Sequence, residues 1–188
     1  QSAPQRGGEG PGSEDCLRLN VWTPGLRDGA KRPVLVYIHG GAFSTGSGSD
    51  PLYDGGALCR AGDVVVVTVN HRLNAFGYLH LRDLGDASFA HAGNVGQLDL
   101  IQALQWVQQH AAEFGGDAGN VTVFGMTPHA AVARGLVAAV ITDLADLGVT
   151  RIIDVPYEPL FEGSGTRIAE AQLAAPTHIA YTRVAAEI

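Results

Sequence analysis

Lysine is all but missing from this chain. Of the 12 basic residues only Lys31 is a lysine, and the arginines are scattered singly against 19 Asp and Glu. The net charge is −7 and the pI about 5.4. Nucleic acids and anionic membrane surfaces are held by a basic face, so neither is an expected partner. No run of 18 uninterrupted apolar residues occurs, and no transmembrane helix is expected. Neither H-E-x-x-H nor a Cys/His cluster at zinc spacing is present, so no metal site is expected, and nothing calls for a cofactor. The G-x-x-x-x-G-K-[ST] phosphate loop is absent too. Cysteine is limited to Cys16 and Cys59. They allow one bridge or two independent thiols and leave the redox compartment open.

What is present is apolar residue and glycine. Hydrophobic residues make up 46% of the 188 and charged residues 16%, which is globular composition and excludes a wholly disordered chain. Residues 1–12 are rich in Gly, Pro and Gln and read as a flexible lead-in. The chain opens on Gln1 without a charged-then-apolar stretch, which leaves a removed leader or a fragment as readings.

Periodicity then divides the chain. LRLNVW (17–22) alternates like a half-buried strand. PVLVYIHG (33–40) and DVVVVTVNHRL (63–73) are buried, β-branched strands. Residues 96–116 are helical, with Leu100, Leu104, Val107, Ala111 and Phe114 on one face and Gly115-Gly116 as the stop. VTVFG (121–125) is a short strand. Thr127-Pro128 opens a further helix, faced by Val132, Leu136, Val140, Leu144 and Leu147 and stopped at Gly148. VTRIIDV (149–155) is a strand, and two short helices follow. Strands alternating with helices predict an α/β fold with a largely parallel sheet.

HGGAF (39–43) directly follows a buried strand. Small residues there let two successive backbone N–H groups face one space, where they can stabilise the oxyanion formed when a carbonyl is attacked. A plain tight turn is the other reading.

Four blocks in order carry a family resemblance: SEDCLRLNVWTP (13–24), PVLVYIHGGAFSTGS (33–47), DVVVVTVNHRLNAFGYL (63–79) and residues 93–125, GNVGQLDLIQALQWVQQHAAEFGGDAGNVTVFG. Over residues 13–125 the chain resembles the type B carboxylesterases, the family that includes cholinesterases. The resemblance implies an α/β-hydrolase fold, a mostly parallel sheet flanked by helices, truncated relative to the family. It implies hydrolysis of a small carboxylic ester by serine-type acyl transfer to water, without a cofactor. The backbone N–H groups of Gly41 and Ala42 would be two of three oxyanion donors. His71 stands where the family commonly has tyrosine. Cys16 sits where secreted members often bridge to an upstream cysteine, and this sequence has none upstream.

The pattern breaks after Gly125. The family continues into a G-x-S-x-G nucleophile elbow; this chain reads Gly125-Met126-Thr127-Pro128-His129. Thr127 stands at the nucleophile position with an extra methyl group in a strained turn. Pro128, at the third oxyanion donor, has no N–H. His129 replaces the glycine that lets helix and strand approach. Losing one donor alone costs about 10²–10³ in rate. The family's acid and histidine positions lie beyond this chain, and the seven histidines, His39, His71, His80, His91, His110, His129 and His178, form no evident substitute.

Residues 126–188 carry no such resemblance and read as an α/β segment packed on the same sheet. The stretch from Arg151 has a faint likeness to the C-terminal end of MinD-like partition ATPases. GSGT (163–166) is either a simple loop and cap or a helix N-terminus that holds an anion. The switch at Gly125 suggests a junction, a rearranged sequence or a diverged paralogue. Two functions follow: an ester hydrolase, inactive as it stands, or a non-catalytic interaction module or fragment on a hydrolase scaffold. Uncovered sheet edges would favour homo-oligomers.

Overall fold

The computed structural model describes residues 3–4, 12–85, 87–127 and 149–156. Five strands form one sheet: β1 (Leu19–Trp22), β2 (Arg32–Ile38), β3 (Val65–Val69), β4 (Gly116–Thr127) and β5 (Val149–Pro156). Their order is β1-β3-β2-β4-β5. β1 pairs antiparallel to β3, and every other pairing is parallel. Among the described residues three α-helices accompany them: α1 (Gly56–Gly62), α2 (Asn74–Tyr78) and α3 (Val95–His110).

The topology explains why helices lie on both faces. The β2–α1–β3 crossover steps one way along the sheet, and the β3–α3–β4 crossover steps back across β2. Both obey the right-handed rule only if α1 and α3 sit on opposite faces. Alternation along the strands matches. Val34, Val36, Val65, Val67, Val69, Val121 and Val123 are buried in one cluster with Leu100, Leu104, Val107 and Ala111 of α3. Thr68 and Val66 lie on the other face, where Gly55, at the start of α1, packs against Val66 and Trp22.

The apolar face expected for 96–116 is the one that packs, with Phe114 partly buried against it. The bounds differ. α3 gives way to a 3₁₀ turn over Ala111–Phe114, and Gly115, at φ +69°, ends it. Gly116 already belongs to β4, which runs through Thr127 rather than over 121–125 alone. The strand read over 63–73 is regular only over Val65–Val69, because the chain beyond it turns to build a loop described below. The sequence reading passed over α1 and α2, each too short for a full amphipathic repeat. Thr127, expected to cap a helix, is the last residue of β4 instead; of the lead-in, Ala3 is buried and most of the rest lies outside the described residues, as do the helix expected from Pro128 to Gly148, His129, His178, GSGT and the two final helices.

Cys16 and Cys59 are both buried free thiols. Cys16 packs with Leu73 and Ala3, and burial pushes its thiol pKa up, which keeps it protonated and unreactive. No described helix is long and apolar enough to cross a membrane, and no group of three or more His, Cys, Asp or Glu is placed to hold a metal among the described residues.

Candidate active site

β2 and β4 are neighbours, yet the chain leaves them in opposite directions, toward β3 and toward β5. Such a switch point opens a crevice at the carboxyl ends of the two strands, where α/β proteins bind their ligands. The HGGAF loop lies on one side of it, and Thr127 lies on the other. The register Ile38↔Gly125 puts Gly40 and Gly41 level with the last residues of β4. The sequence therefore brings its three singled-out positions, Gly41, Ala42 and Thr127, to one end of the sheet.

The loop has an unusual backbone. Gly41 has φ +109° and Ala42 φ +56°, so both occupy the left-handed half of conformational space. Only glycine fits at 41: a Cβ there would collide with the carbonyl oxygen and hydroxyl of Thr45. The Gly41 carbonyl accepts from Ser44 N (3.2 Å) and Thr45 N (3.1 Å), which curls the loop into one turn.

A second segment, residues 70–78, holds that turn in place. Asn74 donates its backbone N–H to Phe43 O (2.7 Å) and its side-chain amide to Ser44 O (2.9 Å). Asn70 Oδ1 accepts from Gly48 N (2.7 Å), while Thr68 Oγ1 and Asn20 Nδ2 donate to Gly48 O. The rings of Phe43 and Tyr78 lie 4.3 Å apart. The imidazole of His39 stacks on that of His71, with centroids 4.8 Å apart and planes 12° from parallel.

Both imidazoles are buried. His39 Nδ1 lies 2.9 Å from Gly40 O and His71 Nδ1 lies 3.1 Å from Arg72 O. A carbonyl oxygen only accepts, so each Nδ1 carries the proton and each Nε2 the lone pair. Burial lowers the pKa of both; for His71 burial, with the neighbouring His39 next, brings it down to about 4. Burial likewise pushes the Tyr78 hydroxyl pKa up. The pair is neutral at neutral pH.

Segment 70–78 is anchored in turn to α3. The Arg72 guanidinium forks onto Asp99, Nη2 to Oδ1 at 2.5 Å and Nε to Oδ2 at 2.9 Å, and the Arg72 backbone N–H donates to Oδ2 at 2.9 Å. Gly96 lets Tyr78 lie against the helix backbone, since a Cβ there would strike the phenol. From this block the sequence reading singled out only His71. The asparagines, Tyr78 and the Arg72–Asp99 pair went unread, although they stand in the quoted blocks.

The other described histidines do not converge here. His80 faces the exposed Asp83, and His110 packs at a tilt against Trp106 at the last turn of α3.

At Thr127 the backbone is not a turn. Gly125, Met126 and Thr127 continue the ladder with Asp154, Val155 and Pro156 of β5. A nucleophile elbow needs a sharp strand-to-helix bend at this position; here the strand stays extended through it.

A mostly parallel sheet flanked by helices, with a glycine loop at the switch point after β2, defines an α/β hydrolase. The carboxylesterase family model matches residues 1–147. Para-nitrobenzyl esterase of Bacillus subtilis is 41% identical over 173 residues, which is 92% of this chain and 32% of that protein. Human carboxylesterase 3 is 49% identical over 127 residues, 66% of this chain and 21% of that protein. Among solved structures, the Geobacillus stearothermophilus carboxylesterase EST55 superposes with a TM-score of 0.69 at 50% identity, covering 76% of this chain and 30% of its own. The chain belongs to the carboxylesterase family. It spans a third or less of the length of these relatives. The family match starts ahead of residue 13 and crosses Gly125 to reach residue 147, so kinship does not stop at the replaced elbow. These comparisons do not show the MinD-like likeness of the final stretch.

Proposed function

We propose that this chain is the N-terminal part of a carboxylic ester hydrolase scaffold that keeps the oxyanion loop and, as it stands, does not turn over esters. In serine-type acyl transfer a hydroxyl attacks the ester carbonyl, a histidine takes its proton, an acid orients the histidine, and backbone N–H groups receive the negative charge. Gly41 and Ala42 are the two donors this chain offers a small carboxylic ester.

The observation that carries the inactive reading is the extended, paired backbone of β4 through Thr127. A ladder strand lacks the sharp, strained backbone bend that an elbow gives its nucleophile. Pro128 adds a chemical obstacle, since a third donor at that position requires an N–H.

The test is hydrolysis of p-nitrophenyl acetate by the purified chain beside its Thr127→Ala variant. The expected result is that both proteins match the uncatalysed background. Turnover that disappears in the variant would make Thr127 a working nucleophile and overturn the proposal. Turnover that survives in the variant would overturn it equally, by placing the chemistry at another group.

A further inference from the structure

The carboxylate of Asp99 and the guanidinium of Arg72 neutralise each other. Among the described residues, neither the adjoining His71 imidazole nor the His39 ring stacked on it has such a partner. His39 is part of the glycine loop, and His71 belongs to the segment that shapes it. Their stack is the ring contact that ties the first residue of the loop to the 70–78 segment. Gly46, from the far side of the loop, closes on the Nδ1–Cε1 edge of His39, where a Cβ would collide. The His39 ring thus fixes both ends of the turn that carries Gly41 and Ala42.

We infer that the His39–His71 stack is an acid-sensitive latch that positions the Gly41–Ala42 loop, and that His71 is a positioning residue for it. The inference rests on the oxyanion reading of that loop for its functional meaning, but the latch itself is a statement about loop order.

The groups facing the pair are few. From the 70–78 segment and α2 come Tyr78 and Arg72. Tyr78 OH lies 3.4 Å from His71 Nδ1 and, with its pKa raised, stays neutral. From α3 comes Asp99, already engaged by Arg72. Among the described residues, no facing group offers an imidazolium a free counter-charge. A proton on either ring adds an N–H at Nε2 and puts a charge in a buried site, and a second proton places two like charges 4.8 Å apart.

The sign follows. Both histidines hold their protons less tightly in the closed loop than in water. The closed loop is therefore fully favoured above about pH 6.5, the ordinary histidine value. It loses that preference as pH falls toward about 4, the value for His71. A proton is accommodated most readily by letting the loop swing out and hydrate the rings.

The experiment is amide hydrogen exchange, resolved by residue in NMR spectra of the full chain, between pH 7.5 and 4.5 and corrected for intrinsic exchange. Exchange at Ser44 and Thr45, whose N–H groups bond the Gly41 carbonyl, is expected to accelerate about tenfold or more on acidification, in step with the histidine ring signals, while Val36 and Val67 keep their protection. In the double variant His39→Phe/His71→Phe, which keeps two flat rings, the loop should remain protected at pH 7.5 and the acid step should vanish. A step that persists in the double variant, or no step in the parent, would overturn the latch. Should the double variant fail to fold, His71→Tyr keeps a ring and removes one titrating group; one proton fewer should then accompany the step, and an unchanged proton count would overturn the proposal. These outcomes do not depend on ester turnover, so the latch and the hydrolase reading fail separately.

Discussion

Arg72→Met is expected to lower folding stability by about 3 kcal/mol, read as a fall in urea midpoint at unchanged slope. The Asp99 side chain is 4% exposed and that of Arg72 37%. Removing the guanidinium leaves a carboxylate on the inner face of α3 with a single described donor, the backbone N–H of residue 72. An uncompensated buried charge typically costs about 3–5 kcal/mol, and the partial exposure of Arg72 puts this pair at the low end. The double variant Arg72→Met/Asp99→Leu removes both charges and should lose clearly less than Arg72→Met alone. A double variant as damaged as the single would mean that the segment is held by shape rather than by charge.

The same pair explains how a salt bridge remote from any substrate bears on the site. Arg72 lies between His71 and Leu73 in the segment whose Asn74 holds Phe43 and Ser44. Loosening its anchor on α3 should release the glycine loop as well as the helix. Loss of exchange protection at Thr45 in Arg72→Met would register that coupling.

Much of this architecture was legible in the sequence because it depends on periodicity. The valine alternation of PVLVYI and DVVVVTV and the three- and four-residue spacing from Leu100 to Phe114 specify two strands, a helix and the face each buries. The family blocks supplied the sheet's identity and the location of Gly41 and Ala42. The supports of the loop were not legible, because they are long-range hydrogen bonds between irregular segments. Asn74 reaching Ser44 and Asn70 reaching Gly48 follow no period. The stacking of His39 on His71 depends on β2 and β3 being parallel neighbours in register, Ile38 opposite Val69. The extent of β4 was hidden for another reason. The sequence ends the strand at 125 and starts a helix at Thr127-Pro128. The ladder to β5 instead keeps Met126 and Thr127 extended.

Gly41→Ala and Ala42→Gly are expected to act with opposite signs although they are adjacent. At φ +109° Gly41 lies outside the small left-handed basin that ordinary residues visit, and its added Cβ would meet the Thr45 carbonyl, a backbone atom that cannot move without unmaking the turn. Backbone strain of this kind costs roughly 1–3 kcal/mol. With the collision added, a loss of about 3 kcal/mol is expected, or else a loop that opens locally to avoid it. Ala42, at φ +56°, sits in the basin where an L-residue pays about 1–2 kcal/mol and glycine pays nothing. Glycine returns about 0.5–1 kcal/mol of that through the freedom of the unfolded chain, so Ala42→Gly should be neutral or stabilising by up to about 1.5 kcal/mol. Urea midpoints at pH 7.5 measure both, and amide exchange over residues 40–46 separates a loop that opens from a domain that unfolds. A silent Gly41→Ala, with loop amides as protected as in the parent, would mean that the turn has another shape, and Gly41 and Ala42 would lose their claim to be oxyanion donors.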